Sequence, residues 1–379
     1  MFLWISIYLL ILAANKYHLK DSEFISTFNA SNIQNSSGRV AWQSPSNLAI
    51  VKYWGKYGQQ LPRNPSISIT LSEAFTQTSV EFFVDKYRSK LELEFYFEGK
   101  ENESFKGRIT KYLEGIESYF SFIPYSKLII NSDNSFPHSS GIASSASSMS
   151  ALALCLCEIE NNLENDKNGN EEFFLRKASY ISRLGSGSAC RSVYPYFASW
   201  GKIGNEDSSN LYASPVAEFH DVFKTLRNDI LIVSAEEKSV SSTKGHQLME
   251  ENPYAKTRFE QANNRVFELK SILKEGNLSA FGEMLESEAL TLHALMMASD
   301  PSYLLIEPKT IKVINEIRSF RKNENIPVFF SLDAGPNVHI ISFEKDRAAI
   351  EGLIENLREF AIGGKILNDS IGFGAKKIE

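Results

Sequence analysis

Four short segments carry residue types suited to handling phosphate. Lys52-Tyr53-Trp54-Gly55-Lys56 closes an apolar run, Leu48 to Val51. Lysine is depleted from buried positions unless it is paired, so Lys52 is either an edge-strand residue reaching solvent or a desolvated cation beside an anion. Ser132 to Ser148 joins a buried strand to an apolar helix through Pro137-His138-Ser139-Ser140-Gly141. Ser144, Ser145 and Ser147 fall where that helix begins. The free N–H groups and positive dipole end there suit an anion, and hydroxyls add donors and a Mg²⁺ ligand. The plain alternative is a serine-rich helix cap. There is no Gly-Lys-Ser/Thr and no G-x-G-x-x-G in this stretch.

Gly185-Ser186-Gly187-Ser188-Ala189-Cys190-Arg191-Ser192 combines hydroxyl donors with a guanidinium fork that binds carboxylate or phosphate. It is also what a plain Gly-Ser linker looks like. No Gly-x-Ser-x-Gly elbow is present, which leaves a serine hydrolase unsupported, and Cys190 reads as a small packed residue. Asp333-Ala334-Gly335-Pro336-Asn337 joins two strands. Each of its residue types favours a turn, and a carboxylate at a strand end over a cleft is also placed to act as a base.

The elements that hold these segments follow from periodicity. Strands are expected at Val40–Trp42, Leu48–Trp54, Ser66–Leu71, Thr76–Val84, Leu91–Phe97, Leu128–Ile130, Asp229–Val233, Val328–Leu332 and Val338–Phe343. Helical spacing marks Phe105–Phe120, Ala146–Ile159, Pro253–Lys274, Leu278–Met297, Thr310–Arg321 and Arg347–Phe360. Strands and helices mix without a strict βαβ rhythm, so the class is α+β. The polar stretch Asn205 to Asn210 suggests a division into residues 36–220 and 221–379.

Composition narrows the rest. Forty Lys+Arg against 46 Asp+Glu give a net charge of −6, which excludes a nucleic-acid binder working by bulk charge. An apolar fraction of 43% excludes a disordered chain. Cys155, Cys157 and Cys190 are too few for a disulfide framework and point to a reducing, cytoplasmic setting. Residues 1–14 are almost wholly apolar and uncharged. They are shorter than the roughly 20 residues a spanning helix needs, and no basic residue precedes them as in a signal. Membrane contact is expected only if this stretch inserts, and residues 1–35 are expected to lie outside the fold.

Taken in order, these segments resemble the diphosphomevalonate decarboxylases of the GHMP kinase superfamily. The resemblance runs from Ser44 to Ala375 and includes Ser44–Lys56, Leu61-Pro-Arg-Asn-Pro-Ser-Ile-Ser-Ile-Thr-Leu71, Phe136–Ser145, Gly185–Ser192, Val240-Ser-Ser-Thr-Lys-Gly245 and Asp333–Asn337. It implies a ribosomal-protein-S5-domain-2-like N-terminal domain, a ferredoxin-like C-terminal domain and an active site between them. It further implies a homodimer that uses ATP and Mg²⁺ to convert (R)-5-diphosphomevalonate into isopentenyl diphosphate.

By the same resemblance, Asp333, Lys52 and Arg191 would be catalytic. Asp333 would act on the 3-hydroxyl, and Lys52 would neutralise charge around the transferred phosphoryl group. Tyr53, Lys56, Ser186, Ser188, Arg191 and Ser241 would bind substrate. Ser139, Ser140, Gly141, Ser144 and Ser145 would hold the ATP phosphates, with Ser145 on the metal. One departure is that His138-Ser139-Ser140 stands where the family more often has Thr-Ala-Ala. The resemblance leaves room for a mevalonate 3-kinase, a phosphomevalonate decarboxylase or a non-catalytic metabolite sensor. Retention of both Lys52 and Asp333 favours the full reaction.

Overall fold

The computed structural model describes residues 21–26, 35–137, 142–164, 170–204, 208–236 and 239–379. Two long strands dominate its first half: β1 (Ser36–Val51) and β2 (Ser66–Val84). They are followed by β3 (Glu92–Phe97), α1 (Glu103–Gly115), β4 (Ser126–Asn134), α2 (Ser144–Glu164), α3 (Glu171–Gly185), β5 (Phe197–Trp200) and β6 (Ala213–Pro215). In the second half come β7 (Leu226–Leu231), α4 (Ser242–Leu248), α5 (Ala255–Glu275), α6 (Leu278–Met297) and α7 (Pro308–Glu324). The chain closes with β8 (Phe329–Leu332), β9 (Val338–Phe343), α8 (Arg347–Leu357), β10 (Ile366–Ser370) and β11 (Lys376–Lys377).

The main path of the first sheet runs β11-β1-β2-β4-β3, with β5 paired to β2 and β6 paired to β5. Its pairings are antiparallel except β3 with β4, which is parallel. The second sheet has order β8-β9-β7-β10, all antiparallel. The mixed α+β class therefore holds.

Strands expected as separate prove to be single strands, in two cases. Val40–Trp42 and Leu48–Val51 belong to β1, whose register against β2 jumps between Pro45 and Asn47. Opposite that jump, β2 carries the extra residues Leu71 to Ala74 without interruption. Their N–H groups find an acceptor outside the ladder: the Asp369 carboxylate from β10 takes those of Ser72, Glu73 and Ala74 at 2.8 Å each. A bulge that would expose donors is thus sealed by the other half of the molecule. Lys52 to Trp54, expected as strand, leave the ladder, and that departure shapes the site.

Residues 21–26 do not lie outside the fold. Phe24 is fully buried and stacks on Tyr180 with ring centroids 4.6 Å apart, while Glu23 pairs with Arg176 at 3.5 Å. An aromatic side chain docked this way buries enough apolar surface to fix its segment. The apolar residues 1–14 lie outside the described residues. Among the described residues, no helix is long and apolar enough to cross a membrane.

α2 and α3 cover one face of the first sheet in a core that includes Val80, Leu128, Leu156 and Ile181. A second core is shared by both halves. Leu48, Ile50, Ile67 and Ile69 pack with Ala262, Val266, Phe281 and Phe329. The third core lies under α7 and α8. The shared core fixes the ends of β1 and β8 relative to each other, and these are the strand ends that carry Lys52 and Asp333.

Candidate active site

Lys52 follows the last residue of β1, and three side chains hold its peptide group away from the sheet. Glu288 Oε2 accepts the Lys52 N–H at 2.8 Å. Asn64 Nδ2 and Arg258 Nη2 donate to its carbonyl at 3.0 and 3.1 Å. With the backbone so held, the ammonium crosses the cleft to Asp333 Oδ1 at 3.0 Å and Ser331 Oγ at 3.2 Å. Its side chain is 2% exposed and that of Asp333 24%. The lysine is therefore not an edge residue reaching solvent; its charge is buried and compensated.

Asp333 begins the turn between β8 and β9. The turn is closed by Gly335 N–H donating to the Asp333 carbonyl at 2.7 Å. That carbonyl also lies 3.0 Å from Nε2 of His293 on α6. Thr310 on α7 donates to the Pro336 carbonyl at 2.7 Å, and Asn337 accepts the Ser234 N–H at 3.0 Å. Beneath the pair, burial and the Lys52 charge push His339 on β9 down to about 4 despite the opposing pull of Asp333.

Arg191 ends a tight 3₁₀ segment, Gly187–Arg191, that follows α3. Its side chain is 2% exposed. It donates to Ser68 Oγ at 3.0 Å, Ser66 Oγ at 2.6 Å and Asn47 Oδ1 at 3.2 Å. All three partners are uncharged, and burial lowers the pKa of the guanidinium. Tyr53 Oη is buried without a partner among the described residues. Burial, then Cys190, raises its pKa. Gly187 is required here, because a Cβ would stand 2.8 Å from that hydroxyl oxygen and 3.1 Å from the Trp200 ring. Desolvation also lowers the pKa of Lys56, whose ammonium donates to Gln60 at 3.0 Å.

These groups line one cleft of about 420 Å³. Among the described residues, Lys52, Lys56, Arg108 and Arg191 bring four cations to it against the single carboxylate of Asp333. Such a surplus fits a polyanion. A second cavity of about 260 Å³ adjoins it, walled by Phe95, Phe97, Phe105, Tyr112 and Met149, with Thr78, Ser132 and Asn134 as polar points. The two cavities share Arg108, Ser145 and Gly185.

Of the residues singled out from sequence, Lys52, Tyr53, Lys56, Ser145, Ser186, Ser188, Arg191 and Asp333 meet in the cleft. Ser144 lines the aromatic cavity. Ser139, Ser140 and Gly141 lie outside the described residues. Ser241 does not line the cleft: it is the N-cap of α4, its exposed hydroxyl accepting the Lys244 N–H at 3.3 Å, and Ser242 and Thr243 line the wall instead. His246, Gln60, Arg108 and the aromatic cavity were not anticipated. Phe95, Phe97 and Phe105 carried the right spacing but read as ordinary core.

Ser145 fits a metal-bound triphosphate. Its exposed hydroxyl, 3.2 Å from that of Ser186, offers a hard oxygen in both cavities. Among the described residues, no group of three His, Cys, Asp or Glu side chains could cage a metal. A Mg²⁺ ion that keeps its waters and leans on substrate phosphates needs no such cage.

A Ser-rich helix start facing an acid–lysine pair across a cleft between two sheets is the architecture of a GHMP-type phosphotransferase. The profile of the diphosphomevalonate decarboxylase-like N-terminal domain matches residues 44–212, and that of the mevalonate 5-diphosphate decarboxylase C-terminal domain matches 229–367. The chain is 30% identical over 328 residues to a diphosphomevalonate decarboxylase of Danio rerio, covering 83% of this chain and 78% of that protein. Its fold matches the mevalonate diphosphate decarboxylase of Staphylococcus aureus with a TM-score of 0.77, 27% identity and coverage of 91% and 99%. It also matches MDDEF in complex with MVAPP, AMPPCP and magnesium, with a TM-score of 0.76, 25% identity and coverage of 91% and 100%. The chain belongs to the diphosphomevalonate decarboxylase family.

Proposed function

We propose that this protein catalyses the ATP-dependent decarboxylation of (R)-5-diphosphomevalonate to isopentenyl diphosphate, with release of ADP, phosphate and CO₂. The observation that carries the reading is the 3.0 Å Lys52–Asp333 contact, made between strand ends of the two halves inside a cation-rich cleft. The ATP analogue, magnesium and MVAPP bound together in a relative of the same fold support it.

Asp333 accepts the proton of the 3-hydroxyl as that oxygen attacks the γ-phosphorus of ATP, and ADP departs. Transfer and proton movement are concerted, because a free alkoxide is inaccessible near neutral pH. Lys52 offsets the charge that gathers on the transferring group. The C3–O bond then breaks and phosphate leaves. The electron pair of the C1–C2 bond closes the C2=C3 alkene as CO₂ departs. Arg191 holds the substrate carboxylate, while Tyr53, Lys56, Ser186 and Ser188 hold the diphosphate end. Ser144 and Ser145 bind the ATP phosphates, and the Ser145 hydroxyl oxygen would be a ligand to Mg²⁺, which would offset phosphate charge. The aromatic cavity takes the nucleobase. On this reading residues 36–220 carry the nucleotide, and residues 221–379 bring the acid.

We assign the protein to the cytoplasm, on the support of its three buried free cysteines, and to a homodimer, on the family resemblance. The test of function is turnover by the full chain, since Phe24 is part of the core. ADP, phosphate and CO₂ are expected in equal amounts; ADP without CO₂ would overturn the decarboxylase in favour of a kinase. Arg191→Lys should lose about ten- to a hundredfold in kcat/KM, the scale of a charged hydrogen bond.

A further inference from the structure

The proposed reaction leaves several cleft residues without a task, His246 among them. His246 sits on α4, beside Ser242 and Thr243 on the wall of the cleft. Its ring packs on those of Tyr53 and Trp54, with centroids 4.4 and 4.5 Å away. Nδ1 lies 2.9 Å from the Gly55 N–H. A backbone N–H can only donate, so Nδ1 is the acceptor, and a neutral ring must carry its proton on Nε2. Among the described residues Nε2 has no hydrogen-bond partner and is not one of the buried unpaired polar atoms, so it keeps some exposure on a residue that lines the cleft. Burial, reinforced by the Lys56 cation, pushes the imidazole down to about 3. The ring is therefore a fixed neutral donor at any working pH, in a cleft whose other polar groups are mostly cations and hydroxyls.

We infer that His246 is a specificity-determining residue whose Nε2–H donates to an anionic oxygen of the acyclic substrate, on its diphosphate or its carboxylate. This rests on the cleft's being the diphosphomevalonate site. The ring also props Gly55 and so holds the Lys52–Lys56 segment, a role that needs only Nδ1. The two roles use different nitrogens and can be separated.

Asparagine reproduces the Nδ1 end of a histidine and glutamine the Nε2 end. A hydrogen bond to a charged oxygen corresponds to about ten- to a hundredfold in affinity. In the full-length enzyme, His246→Asn should raise KM for diphosphomevalonate by about that factor, with KM for ATP unchanged, whereas His246→Gln should stay within about threefold of wild type. If His246→Asn keeps the wild-type KM while His246→Gln loses it, the ring is only a prop and the inference fails. It also fails if both substrates weaken equally. Competitive inhibition by inorganic pyrophosphate and by mevalonate identifies the oxygen. Weakening of pyrophosphate alone assigns the diphosphate, weakening of mevalonate alone assigns the carboxylate, and no change in either overturns the donor role. A wild-type enzyme with no turnover of diphosphomevalonate would instead refute the function itself, so the two failures remain distinct.

Discussion

Two buried arginine sites lie within the same molecule and are built on opposite principles. On α5 and α6, Arg258 meets Glu288 through two contacts of 2.6 Å, and Arg265 binds the same carboxylate. Burial opposes ionisation of Glu288, but the two guanidinium groups and the Lys52 N–H overcome it and hold its pKa below the usual range. Arg191 is equally buried, and among the described residues it donates only to the hydroxyls of Ser66 and Ser68 and the amide of Asn47, with the Trp200 ring 5.8 Å from its guanidinium. In the first cluster each cation meets a carboxylate, one shared by two guanidinium groups, and that carboxylate grips the Lys52 peptide. The second is a desolvated cation with no counter-ion among its partners, facing a cleft. A buried charge is tolerated when it is paired. An unpaired one marks the place where a ligand's charge completes the structure.

The largest effect should come where the two sites converge. Asp333→Ala removes the acceptor for the hydroxyl proton, and general base catalysis contributes about 10²- to 10⁴-fold. Turnover should fall by that much while ATP affinity, read by ADP binding, stays within a few-fold. Retained turnover would remove Asp333 as the base. Next comes Glu288→Ala, which leaves Arg258 and Arg265 buried without a carboxylate. Breaking one side of such a cluster costs about 3–5 kcal/mol. Urea unfolding should report that loss, and a change under 1 kcal/mol, within the range of exposed pairs, would mean the triad is not what fixes Lys52.

A smaller effect concerns a group that can shed its charge, which arginine cannot. His339 is fully buried beneath the Lys52–Asp333 pair and lies 3.1 Å from Asn228 Oδ1. Its pKa is pushed down to about 4 in the fold, against about 6.5 in an unfolded chain. Between those values the unfolded chain binds more protons, so stability is full above pH 6.5 and is lost as pH falls toward 4. The slope is at most about 1.4 kcal/mol per pH unit. His246 acts in the same direction. Unfolding midpoints of wild type and His339→Asn, compared at pH 7 and pH 5, should converge at the lower pH; parallel lines would show that His339 does not titrate there.

How much of this was visible in the sequence depends on how far apart the causes lie. α6 matches its expected span because Asn277 caps it locally, accepting the Ala280 N–H, and its periodicity is unbroken. β2 was divided because the acceptors that keep it continuous belong to Asp369, 295 to 297 residues away. α3 was overlooked because its buried face carries Lys177 and Arg183. Lys177 is paired with Glu160 of α2, and Arg183 is spent on the carbonyls of Leu211 and Gln59. Lys52 and Asp333 were legible as motifs, but their contact spans 281 positions and follows only from the shared core. Ser241 came from the resemblance as a substrate contact, and a sequence motif does not say that its hydroxyl caps α4 while Ser242 and Thr243 line the cleft.

The comparison is sharpest where its expected effect is smallest. Arg191→Met removes a cation that has no counter-ion and leaves Ser66, Ser68 and Asn47 short of one donor. The relief of a desolvated charge and the loss of three neutral acceptor contacts oppose each other. Exchanging buried ions for apolar side chains of similar volume is often neutral or stabilising. Unliganded stability should therefore move by no more than about 1 kcal/mol, against the loss of several expected when Arg258→Met strands Glu288. Ligand restores the asymmetry. Saturating diphosphomevalonate at 100 times its Kd adds about 2.7 kcal/mol to the wild type, and that gain should vanish in Arg191→Met but persist in a folded Arg265→Lys. If Arg191→Met destabilises the free protein as much as Arg258→Met does, Arg191 is a structural cation like the others, and the cleft loses its claim to be a site completed by its substrate.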